Sequence, residues 1–268
     1  MHRTALACIA ALALAACQAK PEAQAQHQQL QGRWVDLTHD LAEDNPFWPT
    51  AEGYRHEVAS FGKTAGGWFY SSYNLRFSEH GGTHLDAPIH FAEGKQSADE
   101  IAIDRLIGPA VVIDVSKASG ANRDYQFSIA DVEAWERANG RIADGTIILF
   151  HTGYSRFWPD RKSYMGTDER GPEAVAKLHF PGLSPELARF LAEQRKVAAV
   201  GLDTPSLDHG QSNDFMAHRI LLGANIPGFE NVASLDQLPP KGATVVALPT
   251  KIRAGSGAPL RIVALIPG

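Results

Sequence analysis

The run His80-Gly81-Gly82-Thr83-His84-Leu85-Asp86-Ala87-Pro88-Ile89-His90 constrains this chain more than any other stretch. It gathers three of the 11 histidines and a carboxylate. Imidazole and carboxylate donors without thiolate suit a divalent ion held for chemistry, whereas structural zinc sites favour closed, cysteine-rich shells. His80, His84, Asp86 and His90 are separated by even steps, so an extended backbone turns all four to one side. Extension alone would leave His80 and His84 roughly 13 Å apart, too far to share one ion at about 2 Å. Gly81-Gly82 can supply the bend, because glycine accepts positive φ and close backbone approach. Pro88 disfavours helix at Ala87 and removes a backbone donor. A bent, partly extended loop around a metal ion is expected.

The only cysteines, Cys8 and Cys17, lie far from this motif. After a weakly basic start, Thr4 to Ala16 is almost wholly Ala, Leu and Ile. That run is too short to span a bilayer and fits the apolar region of a secretory signal. Leu14-Ala15-Ala16-Cys17 resembles the lipobox of bacterial lipoproteins. The resemblance implies loss of residues 1–16, lipidation at Cys17, and a membrane-anchored protein on the periplasmic face. Ordinary cleavage after Ala23-Gln24-Ala25, giving a soluble exported protein, is the alternative. Residues 17–31, rich in Gln and Ala, read as a flexible tether. The net charge of −5 argues against a nucleic-acid partner, whose binding rests on Lys and Arg. No later segment approaches 18 continuous apolar residues, so the expected membrane contact is the lipid alone.

Residues 32–268 are expected to form a single α/β domain. Five runs rich in β-branched residues read as strands: Ala110 to Val115, Thr146 to Phe150, Val197 to Leu202, Thr244 to Leu248 and Arg261 to Ile266. Helices separate them. Ser128 opens one that Gly140 stops, and Ser184-Pro185-Glu186 opens a second that reaches about Arg195. Asn213 or Asp214 caps a third through Phe215 to Leu222, ending near Gly223. Alternation of strands and helices implies some parallel pairing. Tyr154 to Gly182 and Asp203 to Asn213 are long enough to be functional loops over a site.

The pattern His-x-Gly-Thr-His-x-Asp-x-Pro-x-His, unbroken from His80 to His90, resembles the signature of the metal-dependent cyclase family, which includes bacterial kynurenine formamidases and isatin hydrolases. Trp34-Val35-Asp36-Leu37-Thr38 with Pro46 to Pro49, Gly201-Leu202-Asp203-Thr204-Pro205-Ser206, and the pair His218 and Glu230 resemble its other motifs. The similarity covers essentially all of the chain after the tether. It implies a mixed β-sheet with flanking helices, of the swivelling β/β/α type, and a homodimer. It also implies that His80, His84 and Asp86 hold a first ion, and that Asp86 bridges to a second bound by His218 and Glu230. Glu230 would touch both, and His90 would be the acid/base residue. Without the family, His218 reads as a packed or surface histidine and Glu230 as a solvated loop residue. Zinc is expected ahead of manganese, as one ion or two.

A divalent ion can activate water near neutral pH and polarise a carbonyl, while His90 returns a proton to a leaving nitrogen. The expected activity is hydrolysis of a C–N bond in a small-molecule amide, arylformamidase-like, converting N-formylkynurenine to kynurenine and formate. An isatin-type lactam hydrolase is the alternative. A periplasmic metal-binding lipoprotein without catalysis is the reading from another class. Phe47, Trp48, Trp68, Phe69 and Tyr70 are candidates for a pocket around a flat ring, and His151 for a residue facing substrate. Thr83 and the adjoining backbone are candidates to orient His84.

Overall fold

The apolar runs of the sequence line up as strands of one closed sheet. A computed structural model describes residues 31–268, so the expected leader, Cys17 and residues 17–30 of the tether lie outside the described residues. The strands are β1 (Arg33–Asp36), β2 (Arg55–Lys63), β3 (Phe69–Arg76), β4 (His84–Asp86), β5 (Ile107–Asp114), β6 (Gln126–Phe127), β7 (Ile147–His151), β8 (Gly182–Leu183), β9 (Ala199–Leu202), β10 (Gly228–Glu230), β11 (Lys241–Pro249) and β12 (Gly257–Ile266). The helices are α1 (Ser116–Ala121), α2 (Ile129–Asn139), α3 (Arg161–Met165), α4 (Pro172–Val175), α5 (Pro185–Phe190) and α6 (Met216–Gly223). None of the described helices is long and apolar enough to cross a membrane.

The main sheet runs β1-β12-β11-β5-β7-β9-β10-β4, and β4 returns to pair with β12. Seven strands thereby close a mixed barrel, with β1 attached to the far half of β12. The β5–β7, β7–β9 and β9–β10 pairings are parallel, and each of these connections contains at least one helix. Parallel neighbours require such crossovers. Alternate residues of the strands face two layers. Ala110, Val112, Ile147 and Leu149 join the cluster that gathers residues from around the ring, including Phe229, Val245 and Ile262. Val111, Ile113, Ile148 and Phe150 pack under the helices with Val132, Leu187 and Leu221.

All five expected strands form, within a few residues of their expected limits. Ser128 opens α2, its N–H donating to Asp131 Oδ2 at 2.7 Å, and Gly140 ends it at φ +95°. Ser184 caps α5, which continues as a wider π turn over Leu191–Arg195. The segment from Tyr154 to Gly182 is no open loop over the site. Its Tyr154, Tyr164, Met165, Leu178 and Phe180 build a third buried cluster, against which Trp48 packs.

The hairpin β2–β3 was not expected, and it stands apart from the barrel as its own two-stranded sheet. Its register puts Val58 opposite Tyr73, His56 opposite Leu75 and Phe61 opposite Ser71. Val58, Phe61, Phe69, Tyr73 and Leu75 consequently share one face, while Glu57, Asn74, Ser72 and Arg76 share the other. Trp68, Phe69 and Tyr70, candidates for a substrate pocket, sit on this hairpin at 64%, 60% and 51% exposure.

The bend before β4 is set by sterics. Gly82 adopts φ +65°, and a Cβ on Gly81 would overlap the ring of Phe47, which is 1% exposed. Gly81→Ala should therefore destabilise the fold by about 1–3 kcal/mol through overpacking. A thermal unfolding midpoint equal to that of the parent protein would refute this.

Candidate metal centre

β4 carries the middle of the histidine motif and has a partner on each edge. His84 lies opposite Glu230 of β10 and Pro259 of β12; Asp86 lies opposite Gly228 and Gly257. After β4, Pro88–His90 makes one 3-10 turn. The expected bent loop is thus a short strand between a glycine bend and a turn. His84 and Asp86, two residues apart, project to the same side, and antiparallel pairing sets Glu230 beside them.

Two groups of three possible ligands converge: His80, His84 and Asp86, and Asp86, His218 and Glu230. Asp86 belongs to both. Its Oδ1 lies 2.6 Å from His80 Nδ1 and 3.3 Å from His84 Nε2, while its Oδ2 lies 3.1 Å from His218 Nε2. Glu230 spans the same gap, with Oε1 3.0 Å from His218 Nε2 and Oε2 3.5 Å from His84 Nε2. His90 is in neither group. Its ring stacks on His80 with centroids 3.8 Å apart, placing it above the ligands.

Hydrogen bonds from outside orient these side chains. A carbonyl only accepts, so the His84 Nδ1 facing Gly82 O at 3.0 Å carries the hydrogen. Its Nε2 is then the free donor atom, buried and without a hydrogen-bond partner. It lies near two carboxylates yet is aligned for a hydrogen bond with neither. Gly82 O also accepts from Asn231 Nδ2, and Asn231 Oδ1 accepts from Tyr164. The backbone therefore orients His84, as expected, but the Thr83 hydroxyl does not. Thr83 instead donates to Asn231 O at 2.6 Å and accepts from His39 N.

A residue of this cluster that sequence reasoning missed is Asp208. His218 Nδ1 donates to Asp208 Oδ2 at 2.6 Å, which turns Nε2 toward Asp86 and Glu230. The same carboxylate accepts from Ala217 N and His218 N in the first turn of α6. Asp208 thus replaces Asn213 or Asp214 as the capping group, and Phe215 enters α6 at φ +51°. The only available signal was its position in the Asp203 to Asn213 loop, since a cap contributed from so far upstream has no local signature.

The electrostatics favour a cation. Burial disfavours charge on His84, yet its contact with Asp86 and the charges of Asp86 and Glu230 raise it to about 9. Burial likewise opposes a charged His218, but Asp208, Asp86 and Glu230 raise it well above the ordinary histidine value. Burial and the neighbouring Asp86 push Glu230 up. Without a metal, protons neutralise these carboxylates; a divalent ion does the same job from the lone pairs of the rings. The orphaned His84 Nε2 and the N/O donor set fit such an ion.

Above the ligands lies a cavity of about 270 Å³, lined on its apolar side by Pro46, Trp48, Phe91 and Phe215. Of the aromatics singled out in the sequence, only Trp48 reaches it. Phe47 is core, packed against the glycine bend. His151 faces elsewhere, 3.5 Å from Asp114 and beside a separate cavity with Ser116 and Asp203. Burial holds His90 down to about 4 against the pull of Asp86, so its ring is neutral at pH 7.

Residues 35–209 match the Cyclase family model. The isatin hydrolase of Roseibium aggregatum is 34% identical over 241 residues, covering 87% of this chain and 86% of that protein. The kynurenine formamidase of Salinibacter ruber is 33% identical over 190 residues, covering 71% and 77%. The structure of isatin hydrolase A from Labrenzia aggregata bound to benzyl benzoate superposes with a TM-score of 0.80 at 36% identity, over 88% of this chain and 94% of that one.

Asp86→Ala, which removes the shared carboxylate, should abolish tight divalent metal binding. His90→Ala should retain the metal by elemental analysis and lose most hydrolytic activity, about 10²–10⁴-fold. Full activity in His90→Ala would remove the role given to that ring.

Proposed function

This chain belongs to the cyclase family, and on that premise we propose a metal-dependent amide hydrolase that opens a small, flat cyclic amide of isatin type. The observation that carries the proposal is the pair of ligand groups sharing Asp86 at the floor of an aromatic-lined cavity. Similarity to isatin hydrolases along most of both chains favours the lactam over the formamide that the motif first suggests. Zinc is the proposed metal, with manganese the alternative that the same N/O donors serve. The hydrolase relatives favour an enzyme over a metal-binding lipoprotein without catalysis.

A divalent ion supplies Lewis acidity to a carbonyl and an activated water near neutral pH. The protein supplies the rest. Trp48, Phe91 and Phe215 offer apolar walls to a planar ring. His90, neutral and stacked over His80, takes a proton from the attacking water and delivers it to the departing nitrogen. Water is added across one C–N bond, leaving a carboxylate, an amine and one proton released to solvent; carboxylate and amine stay in one molecule when the amide is cyclic.

The second reading is arylformamidase activity, N-formylkynurenine to kynurenine and formate, supported by the formamidase relative. Chelation should abolish ring opening of isatin, followed by its absorbance, and zinc or manganese should restore it. Formate release from N-formylkynurenine, run in parallel, ranks the two readings by kcat/KM. Metal-loaded protein inert toward both would sink the amide assignment. The leader and Cys17 point to action on the periplasmic face, as a lipid-anchored protein.

The proposed partner is a second copy, docked through the apolar face of β2–β3. A two-stranded hairpin is marginal alone, and five exposed large hydrophobics on one of its faces exceed the scattered hydrophobics that monomers expose. Light scattering should give twice the mass of the chain, and Phe61→Ser with Leu75→Ser should halve it. A parent protein of single-chain mass would refute the pairing.

A further inference from the structure

We propose that Glu79 and Ser256 form a relay that fixes the ring hydrogen of His80 and so presents its Nδ1 to the metal; this rests on the metal-dependent reading above. Glu79 Oε2 accepts from the backbone N–H of Ser256 at 3.0 Å and of Gly257 at 3.3 Å, and from Ser256 Oγ at 2.8 Å. An oxygen already accepting two backbone hydrogens takes the serine hydrogen as well. Ser256 has only that one, so what it offers His80 Nε2, 2.9 Å away, is a lone pair. Nε2 must therefore be the donor.

The consequence falls on the other nitrogen. In the neutral ring with hydrogen on Nε2, Nδ1 bears a lone pair, and it faces Asp86 Oδ1 at 2.6 Å. Two lone pairs at that distance need a cation between them. The relay thus selects the tautomer in which His80 and Asp86 together ligate an ion, and disfavours the one in which they satisfy each other. Backbone packing supports the orientation. A Cβ on Gly257 would meet the His80 ring and the carbonyl of Leu85, so glycine lets the ring seat against the start of β12. Because His90 stacks on His80, the same relay also sets the plane of the proposed acid/base ring.

Each of the three imidazoles then has its own outer partner: Gly82 O for His84, Asp208 for His218, and Ser256 with Glu79 for His80. Only the last passes through a hydroxyl, whose hydrogen can be removed without changing any charge. Ser256 and Glu79 are positioning residues, outside both ligand groups and outside the lining of the cavity.

Zinc affinity, measured by chelator competition on the full chain, tests the relay. Ser256→Ala should weaken the ion held by His80 about 10–100-fold, and Ser256→Thr, which keeps the hydroxyl, should restore it to within about threefold. An ion held by Asp86, His218 and Glu230 should keep its affinity, and the thermal midpoint of the metal-free variants should match the parent. Parent-like zinc affinity in Ser256→Ala overturns the relay alone. Loss of both ions together with a lowered metal-free midpoint also overturns it, because the serine is then merely structural. A parent protein that binds no divalent ion removes the metal reading itself, and the relay with it.

Discussion

The closure of the barrel and the assembly of the site are one event. Three residues, His84 to Asp86, pair on one edge with β10 and on the other with β12. Without β4 the sheet would have two open edges, each a row of unpaired backbone groups. With it, Glu230 from β10 and the Ser256–Gly257 corner before β12 arrive on either side of the same motif. Ligands separated by well over a hundred residues are therefore held by backbone hydrogen bonds rather than by flexible loops. Such placement gives the precision that metal ligation needs.

Burying Asp86, Glu230 and Asp208 next to one another is costly unless positive charge accompanies them. His84 and His218 provide it as protons, and a divalent ion would provide it as metal. Economy is visible in how few groups do this. Asp208 holds His218 and caps α6 with the same two oxygens, so the group that caps the helix also aims its histidine. Asn231 similarly ties β10 to the Gly82 bend and is itself held by Tyr164. The Tyr154 to Gly182 segment thus acts as a buttress from behind: its core cluster supports Trp48 and, through Tyr164, the carbonyl that orients His84.

The cavity separates two tasks. Its polar floor is directed at a reacting carbonyl, and its walls of Trp48, Phe91 and Phe215 favour a flat, apolar body. Isatin-type lactams and aryl formamides share this shape and differ in whether the two products remain joined. The walls come from Trp48 in an early loop and from two aromatics beside metal-motif residues, Phe91 after His90 and Phe215 before α6. That places the aromatic walls beside the side chains that could hold a metal.

The sequence by itself determined the donor types and the hinge. His80, His84, Asp86 and His90 at even spacing with Gly81-Gly82 between them are a local pattern, and local sterics fix what it can do. The five β-branched runs and the helix starts at Ser128 and Ser184 were legible for the same reason, since propensity and capping act within a few residues. Tertiary structure decided what depends on distant partners. Family resemblance, and not spacing, singled out His218 and Glu230; their convergence on Asp86 comes from parallel and antiparallel pairing around a closed ring. Asp208 carries no signal beyond its place in the Asp203 to Asn213 loop, and Ser256 and Glu79 carry none, because hydrogen bonds between residues far apart in the chain leave no periodicity behind. The aromatic run Trp68-Phe69-Tyr70 pointed to a pocket by composition, whereas register placed it on an exposed hairpin. A one-residue change of strand register reverses which face a side chain occupies, and register is a property of the assembled sheet.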